Sequence, residues 1–112
     1  MNDCIFCKII SGTIPSKFEL NEENIIAIND ISPKAPVHLL IIPKEHIPQI
    51  SDVKASQLTI LGELVDAARR VAEKKKVKDY RLIFNNGAGA GQSVFHIHLH
   101  ILGGRPMHWP PG

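Results

Sequence analysis

Hydrophobic and polar positions alternate most strictly near the end of the chain, where His96, His98 and His100 are separated by single aliphatic residues. Successive side chains of a β-strand point to opposite faces. The three imidazoles would therefore share one face of a strand, with the aliphatic side chains on the other. Neutral imidazole binds metals, transfers protons or acts as a nucleophile. The pattern thus predicts a strand that carries chemistry.

Shorter apolar runs predict four further strands, at residues 17–20, 24–29, 37–42 and 80–85. The first two flank a polar turn at 21–23, and the third ends at Pro43. Prolines exclude regular structure from the loop 30–36 and keep the tail 103–112 extended.

Residues 52–76 give the clearest helical pattern, with Ser51 as the candidate N-cap. A short helix is predicted over residues 4–10, capped by Asp3 and stopped by Gly12. These elements fit a single α+β domain, in which a five-stranded antiparallel sheet carries one long helix and one short N-terminal helix. The stripe that should face the sheet repeats at intervals of three and four: Leu61, Leu64, Val65, Ala68, Val71 and Ala72.

Composition narrows the classes of partner. The chain has 112 residues, a net charge of +2 and 44% hydrophobic residues, as expected for one folded domain. Lysines at 74–76 and 78 lie where the long helix should end, and no aromatic residues are interleaved for base stacking. We therefore expect no nucleic-acid partner. The first residues lack a basic leader and no apolar run reaches membrane length, so we expect a cytoplasmic protein without membrane attachment.

Cys4 and Cys7 form a Cys-x-x-Cys pair. In a reducing compartment such a pair is a metal half-site or a redox pair more often than a structural disulfide.

A glycine-rich segment at residues 85–93 precedes the histidine row. It lacks the Gly-Lys-Ser/Thr ending of a P-loop, and it leads into a strand and not a helix. One interpretation is a flexible hairpin connection. The one we favour is a phosphate-binding loop, with main-chain N–H groups around Gly91 and Gln92 and side-chain donors from Asn85 and Ser93.

Residues 96–102 match the histidine triad motif, and the chain resembles the histidine triad superfamily, in particular its Hint branch. Segments 91–95, which include Val94, and 107–112 support the resemblance, as do 30–33, 35–38 and 42–47. The similarity covers essentially the whole chain.

The resemblance implies hydrolysis of purine nucleoside phosphoramidates. His98 would attack the α-phosphorus and form a nucleotidyl-histidine intermediate. His100 would donate to a phosphate oxygen, Asn85 would share that charge, and Ser93 would help to protonate the leaving amine. His38 would hold the tautomer of the nucleophile or relay a proton, although a lone histidine in an apolar strand is also typical of a satisfied core residue.

The resemblance also implies a nucleoside pocket. Asp30 would accept hydrogen bonds from the ribose hydroxyls. The purine would lie among apolar side chains, some of which are equally explained as ordinary core: Phe6, Ile9, Ile14, Ile28, Ile31 and Leu40.

By analogy with members of the family that bind a metal, His46 and His96 would complete a site with Cys4 and Cys7. A Cys₂His₂ set suits tetrahedral zinc, and four protein ligands make such a site structural. A redox role for the cysteines is the alternative.

We further expect a homodimer, in which the apolar tail places Trp109 beside the leaving group in the partner's site. Two alternative functions remain at this point. One is a dinucleoside polyphosphate hydrolase of the Fhit type, against which the Trp-Pro-Pro-Gly ending argues. The other is a nucleotide-binding interaction module with incidental turnover.

Overall fold

The computed structural model describes residues 3–112 and contains one five-stranded antiparallel sheet. Its strands are β1 (Leu20–Asn21), β2 (Ile25–Asn29), β3 (Val37–Pro43), β4 (Tyr80–Ile83) and β5 (Leu99–Gly103). They lie in the order β1-β2-β3-β5-β4. Two helices complete the domain, α1 (Ile5–Ile10) and α2 (Leu58–Lys74). The α+β prediction is confirmed.

The period of two along β2, β3 and β5 separates two apolar clusters. One packs the sheet against α2 and includes Ala27, Leu39, Leu99 and Ile101. The other lies on the opposite face beneath α1, where Phe6 packs among the alternate apolar side chains of β2 and β3. In β5, His100 pairs with Leu40, whose side chain belongs to the α1 cluster. The α1 face of the sheet is therefore the face that carries the histidines.

The N-cap of α1 is Cys4, so the assignment of that role to Asp3 was wrong. The Sγ of Cys4 accepts a hydrogen bond from the main-chain N–H of Cys7 at 3.3 Å. The helix ends at Ile10, and Gly12 follows with φ of +83°, a conformation that favours glycine. The Cys-x-x-Cys segment thus supplies the N-cap and the first turn of the helix that covers the histidine face.

The long helix begins later than predicted. Val53 and Lys54 are extended, and two short 3₁₀ turns at Ile50–Asp52 and Ala55–Gln57 precede α2. Ser51 lies inside the first of these turns and is not an N-cap. Gln57 instead accepts the N–H of Lys54 through Oε1 at 2.9 Å.

The buried stripe of α2 also differs from the predicted one. Val65 is 46% exposed and Leu61 only partly buried, whereas Ile60 and Ala67 are buried. The predicted intervals of three and four residues were right, but the buried stripe includes Ile60 and Ala67 in place of Leu61 and Val65. Leu64, Ala68, Val71 and Ala72 are buried as expected.

Three strands differ from the prediction by more than one residue at an end. The first begins at Leu20 and includes Asn21, which pairs with Ile26. The strand predicted at 80–85 ends at Ile83. The fifth strand begins at Leu99, so His96 and His98 lie in the irregular segment before it.

Within residues 3–112, no helix combines the length and the apolar character needed to cross a bilayer.

Candidate active site and metal centre

His98 is buried beneath α1, with its ring 5.1 Å from that of Phe6 and 5.0 Å from that of His100. Its Nδ1 lies 2.8 Å from the main-chain carbonyl of His96. Because a carbonyl only accepts, Nδ1 carries the proton and Nε2 keeps its lone pair. Burial lowers the pKa of His98, which keeps the ring neutral at physiological pH. The ring is thus in the state that a nucleophile requires.

His100 is oriented by His38 on the neighbouring strand. The main-chain N–H of Lys34 donates to Nδ1 of His38 at 3.0 Å, so the proton of this neutral ring lies on Nε2. Nε2 of His38 in turn donates to Nδ1 of His100 at 3.0 Å. His100 therefore accepts at Nδ1 and carries its own proton on Nε2. It can donate that proton in a hydrogen bond to an anion.

Burial also keeps both rings neutral. It lowers the pKa of His100 to about 4, and it lowers the pKa of His38. Asp30 lies beside this pair, with Oδ2 3.4 Å from Nε2 of His38. Oδ1 of Asp30 accepts the main-chain N–H of Ser32 at 2.7 Å, which fixes the carboxylate in its turn.

The apolar side chains that were predicted to contact the substrate fall into two groups. Phe6, Ile9, Ile28 and Leu40 are buried together on the histidine face, with Ile14 and Val94 packed at the edge. Ile31 is 98% exposed and Trp109 81% exposed in the single chain. The structure therefore brings the first group to the histidines and leaves these two side chains in solvent.

The glycine-rich loop is closed by its own hydrogen bonds. Gly87 and Gly91 have φ of +90° and +100°, which favours glycine at both positions. Gln92 is buried, accepts the N–H of Gly87 through Oε1 at 2.8 Å, and donates through Nε2 to the carbonyls of Pro48 and Val94.

Several main-chain groups of this loop are engaged as well. The N–H groups of Ala90, Gly91 and Gln92 bind carbonyls within the loop. This departs from the expectation that Gly91 and Gln92 offer their N–H groups to a phosphate. Ser93 is exposed at the end of the loop, and Asn85 lies against Gly91.

Four side chains from three segments of the chain, among them His96 of the histidine row, converge in one cluster. Nδ1 of His96 lies 3.3 Å from Sγ of Cys4, 3.6 Å from Sγ of Cys7 and 3.1 Å from Nδ1 of His46. Sγ of Cys7 lies 3.4 Å from Nδ1 of His46. Tetrahedral zinc with nitrogen and sulfur ligands needs separations of about 3.3–3.8 Å between them. The four predicted metal ligands are thus brought together at nearly the spacing that zinc requires.

The hydrogen bonds of His96 also suit a metal. Its Nε2–H donates to the carbonyl of Pro43 at 2.7 Å, which leaves the lone pair of Nδ1 directed at the cysteines. Burial lowers the pKa of His96 to about 4, so the ring is neutral. In the absence of a metal, burial raises the pKa of the Cys7 thiol.

Ligating atoms of Asp30, His38 and His100 also lie within 4.8 Å of one another. At His96 the hydrogen bonds leave a ring lone pair available to a metal, whereas at His38 they do not. Nδ1 of His38 already accepts from Lys34, so coordination through Nε2 would bring two N–H groups face to face. This cluster is built as a hydrogen-bond relay.

Three main-chain groups that set these tautomers were missed by sequence reasoning: the N–H of Lys34 and the carbonyls of Pro43 and His96. Every residue has a main-chain carbonyl and every residue except proline has an N–H, so no residue type signals these groups. The buried Gln92 was expected as a ligand-binding residue, and its amide is instead occupied in fixing the loop.

Fold and site together define an α+β domain with buried, tautomerically fixed imidazoles on one sheet face. Comparison with known proteins agrees with this class. Residues 3–109 match the family model described as "Scavenger mRNA decapping enzyme C-term binding". A relative described as an uncharacterized HIT-like protein, from Synechocystis sp., is 48% identical over 111 residues, which cover 98% of this chain and 97% of that protein.

Solved structures show the same relationship. A HIT family hydrolase from Legionella pneumophila superimposes with a TM-score of 0.95 at 48% identity, covering 98% of this chain and all of that one. A Zn-bound histidine triad family protein from Mycobacterium smegmatis gives a TM-score of 0.80 at 32% identity, covering 93% of this chain and 76% of that one. The chain belongs to the histidine triad (HIT) family.

Proposed function

We propose that the protein hydrolyses the P–N bond of adenosine or guanosine 5′-phosphoramidates through a nucleotidyl-histidine intermediate, as a Hint-type enzyme. The observation that carries the proposal is the pair of opposite tautomers at His98 and His100. The first ring has a lone pair on Nε2, and the second has a proton on Nε2. A nucleophile and a hydrogen-bond donor thus stand 5.0 Å apart, ring to ring, on one face.

Each chemical step can be assigned to a residue of this chain. Nε2 of His98 attacks the α-phosphorus and the P–N bond breaks, while Ser93 gives its hydroxyl proton to the departing amine. Nε2–H of His100 stabilises the charge that develops on a non-bridging oxygen. Water then displaces His98, returns a proton to Ser93, and gives the nucleoside monophosphate.

The surrounding residues support nucleotide binding. We assign the ribose hydroxyls to the carboxylate of Asp30 and the purine to the apolar cluster around Phe6 and Leu40. Asn85 is assigned to the phosphate. Gly91 and Gln92 shape the loop that presents Ser93.

We propose a structural zinc ion at Cys4, Cys7, His46 and His96. The support is the spacing and donor chemistry of the four side chains, together with the zinc-bound relative. When bound, zinc would hold α1 and the histidine segment together; with four protein ligands it keeps no position for substrate. A reducing cytoplasm would keep both thiols available to it.

We also propose a homodimer in which the tail of each subunit enters the site of the other. Arg81 holds the carbonyl of His108 at 2.9 Å, and the next residue, Trp109, projects into solvent. An exposed tryptophan on an anchored tail suits docking onto a second subunit.

The test is a survey of hydrolysis rates on one enzyme preparation. Adenosine and guanosine phosphoramidates should be cleaved with a kcat/KM at least about tenfold above that for dinucleoside polyphosphates or nucleotide sugars. Preference for a dinucleoside polyphosphate would favour a Fhit-type hydrolase. Tight nucleotide binding without turnover on any of the three classes would favour an interaction module.

A further inference from the structure

We propose that the centre formed by Cys4, Cys7, His46 and His96 is a positioning device for the nucleophile, beyond its role in stability. In this view a bound metal holds His98 in the tautomer that attacks phosphorus. The inference rests on the proposed role of His98 as nucleophile.

The segment that carries His98 is not held by the sheet. Pairing of β5 with its neighbours begins at Leu99, so the nucleophile lies just outside the ladder. Two hydrogen bonds hold the segment instead. Ile97 donates its N–H to the carbonyl of Ile47 at 2.8 Å, and Nε2–H of His96 donates to Pro43 at 2.7 Å.

The two residues that accept these hydrogen bonds, Pro43 and Ile47, lie on either side of His46 in the chain, and His46 is a member of the centre. A metal shared by His46 and His96 would join the same two segments that these hydrogen bonds join. A metal bound at the centre would therefore be a further connection of the irregular segment, and it can be removed without changing the sequence.

His96 belongs to the centre and also contacts the nucleophile, so this one residue connects the two. Its Nδ1 faces the two thiols, and its carbonyl accepts the Nδ1–H of His98 at 2.8 Å. Any rotation of the His96 backbone after loss of the metal changes that acceptor. The proton of His98 is then free to move to Nε2, which removes the lone pair needed for attack.

Phe6 supplies a second, independent connection. It lies between Cys4 and Cys7 on α1, and its ring packs edge-to-face against both His96 and His98, at centroid distances of 5.8 Å and 5.1 Å. Movement of α1 away from the centre would therefore loosen the packing of the nucleophile as well.

The experiment compares zinc-loaded protein with protein freed of metal by a chelator. ¹⁵N NMR reports the tautomer of His98 without any turnover. Rapid quench with an adenosine phosphoramidate gives the rate constant for nucleotidylation at saturating substrate. We expect the Nδ1–H tautomer in loaded protein, a mixture of tautomers in metal-free protein, and a rate constant lower by about 10- to 100-fold.

Two variants of one residue keep the test valid if chelation unfolds the chain. His46→Ala should lose the metal and slow nucleotidylation, whereas His46→Cys supplies another zinc ligand and should restore both. Cobalt(II) added in place of zinc reports occupancy through its thiolate charge-transfer band. Val71→Ala, buried in α2 on the other face of the sheet, is the control for lost stability and should leave the tautomer unchanged.

An unchanged tautomer and rate constant in metal-free or His46→Ala protein would overturn the inference. If removing the metal changes the tautomer of His98 as expected, but the loaded protein forms no nucleotidyl adduct, the result would instead contradict the proposed function. Equal slowing in Val71→Ala would show that stability alone accounts for the effect.

Discussion

His38 donates from Nε2 to Nδ1 of His100 across 3.0 Å, and the main-chain N–H of Lys34 sets the direction of that bond. The proton of His98 is likewise fixed by a main-chain group, the carbonyl of His96. Main-chain groups cannot titrate, so these tautomers are independent of pH while the rings stay neutral. Under the proposed mechanism, this arrangement keeps the hydrogen-bond donor His100 and the nucleophile His98 distinct.

Removing His100 should slow chemistry more than removing the ring that orients it. His100→Ala deletes the donor to the developing charge and should lower kcat by about 10²–10³-fold. His38→Leu leaves that donor in place but lets its tautomer vary, and should cost about tenfold. Single-turnover rates at saturating phosphoramidate measure both variants. A larger loss in His38→Leu would contradict the assigned roles.

Metal content should approach one zinc per chain in protein purified without chelators. Cys4→Ser replaces a thiolate with a weak ligand and should lower both the zinc content and the Tm. Elemental analysis and thermal unfolding in the same buffer provide the measurement, with Ser11→Ala, at the exposed position that follows α1, as the control. Metal-free protein of full stability would favour the redox interpretation of the two cysteines.

The period-two pattern predicted the faces of the sheet because alternation reports burial directly. Leu99 and Ile101 face α2 and His100 lies on the other face, as the sequence indicated. The beginning of α2 was predicted six residues too early, at position 52 instead of Leu58. Val53 and Lys54 are compatible with a helix, and their extended backbone depends on local packing and hydrogen bonds that periodicity does not report.

Residue types predicted which side chains meet in the site, but not their protonation. Cys4, Cys7, His46 and His96 converge as expected. The tautomer of His96 depends on the carbonyl of Pro43, which only the folded chain brings to it. The same limit applies to Gln92, since a polar residue in a glycine loop indicates ligand binding and internal bonding equally well.

Stability should fall as the pH is lowered from about 6.5 towards 4. The folded protein holds the pKa of His100 at about 4, whereas an unfolded histidine titrates near its ordinary value of about 6.5. The unfolded state therefore binds more protons in this window, and this one group lowers the free energy of unfolding as the pH falls. Because water screens the partly exposed ring, the effect stays below the limiting slope of about 1.4 kcal/mol per pH unit. Well above pH 6.5 both states are neutral and the effect vanishes.

Urea unfolding at pH 7.5, 6.0 and 5.0 measures this dependence. His100→Gln carries no titratable ring and should show a shallower loss of stability than the wild type over the same range. Identical pH dependence in the two proteins would contradict the burial of a neutral His100.

The tail should act on the leaving group of the partner's site. Deleting residues 107–112 removes Trp109, so it should change leaving-group preference and kcat/KM far more than purine affinity. A panel of phosphoramidates with different amines, measured beside equilibrium binding of AMP, separates the two effects. Equal loss of binding and turnover for every amine would contradict this role.

A mixed dimer tests the path of the tail. One chain lacks residues 107–112, and the other carries His98→Ala. If tails cross between subunits, the site that keeps His98 receives the intact tail of its partner and is active. Near-zero activity in the mixed dimer would place the tail in the site of its own subunit.

The proposed mechanism requires that Nε2 of His98 forms a bond to phosphorus. Rapid quench of the enzyme with an adenosine phosphoramidate, followed by mass spectrometry of the digested protein, tests it most directly. We expect one nucleotidyl group per active site, attached to His98, and none in His98→Ala, which should still fold and bind AMP. A nucleotidyl group on any other residue, or turnover by His98→Ala, would show that His98 is not the nucleophile.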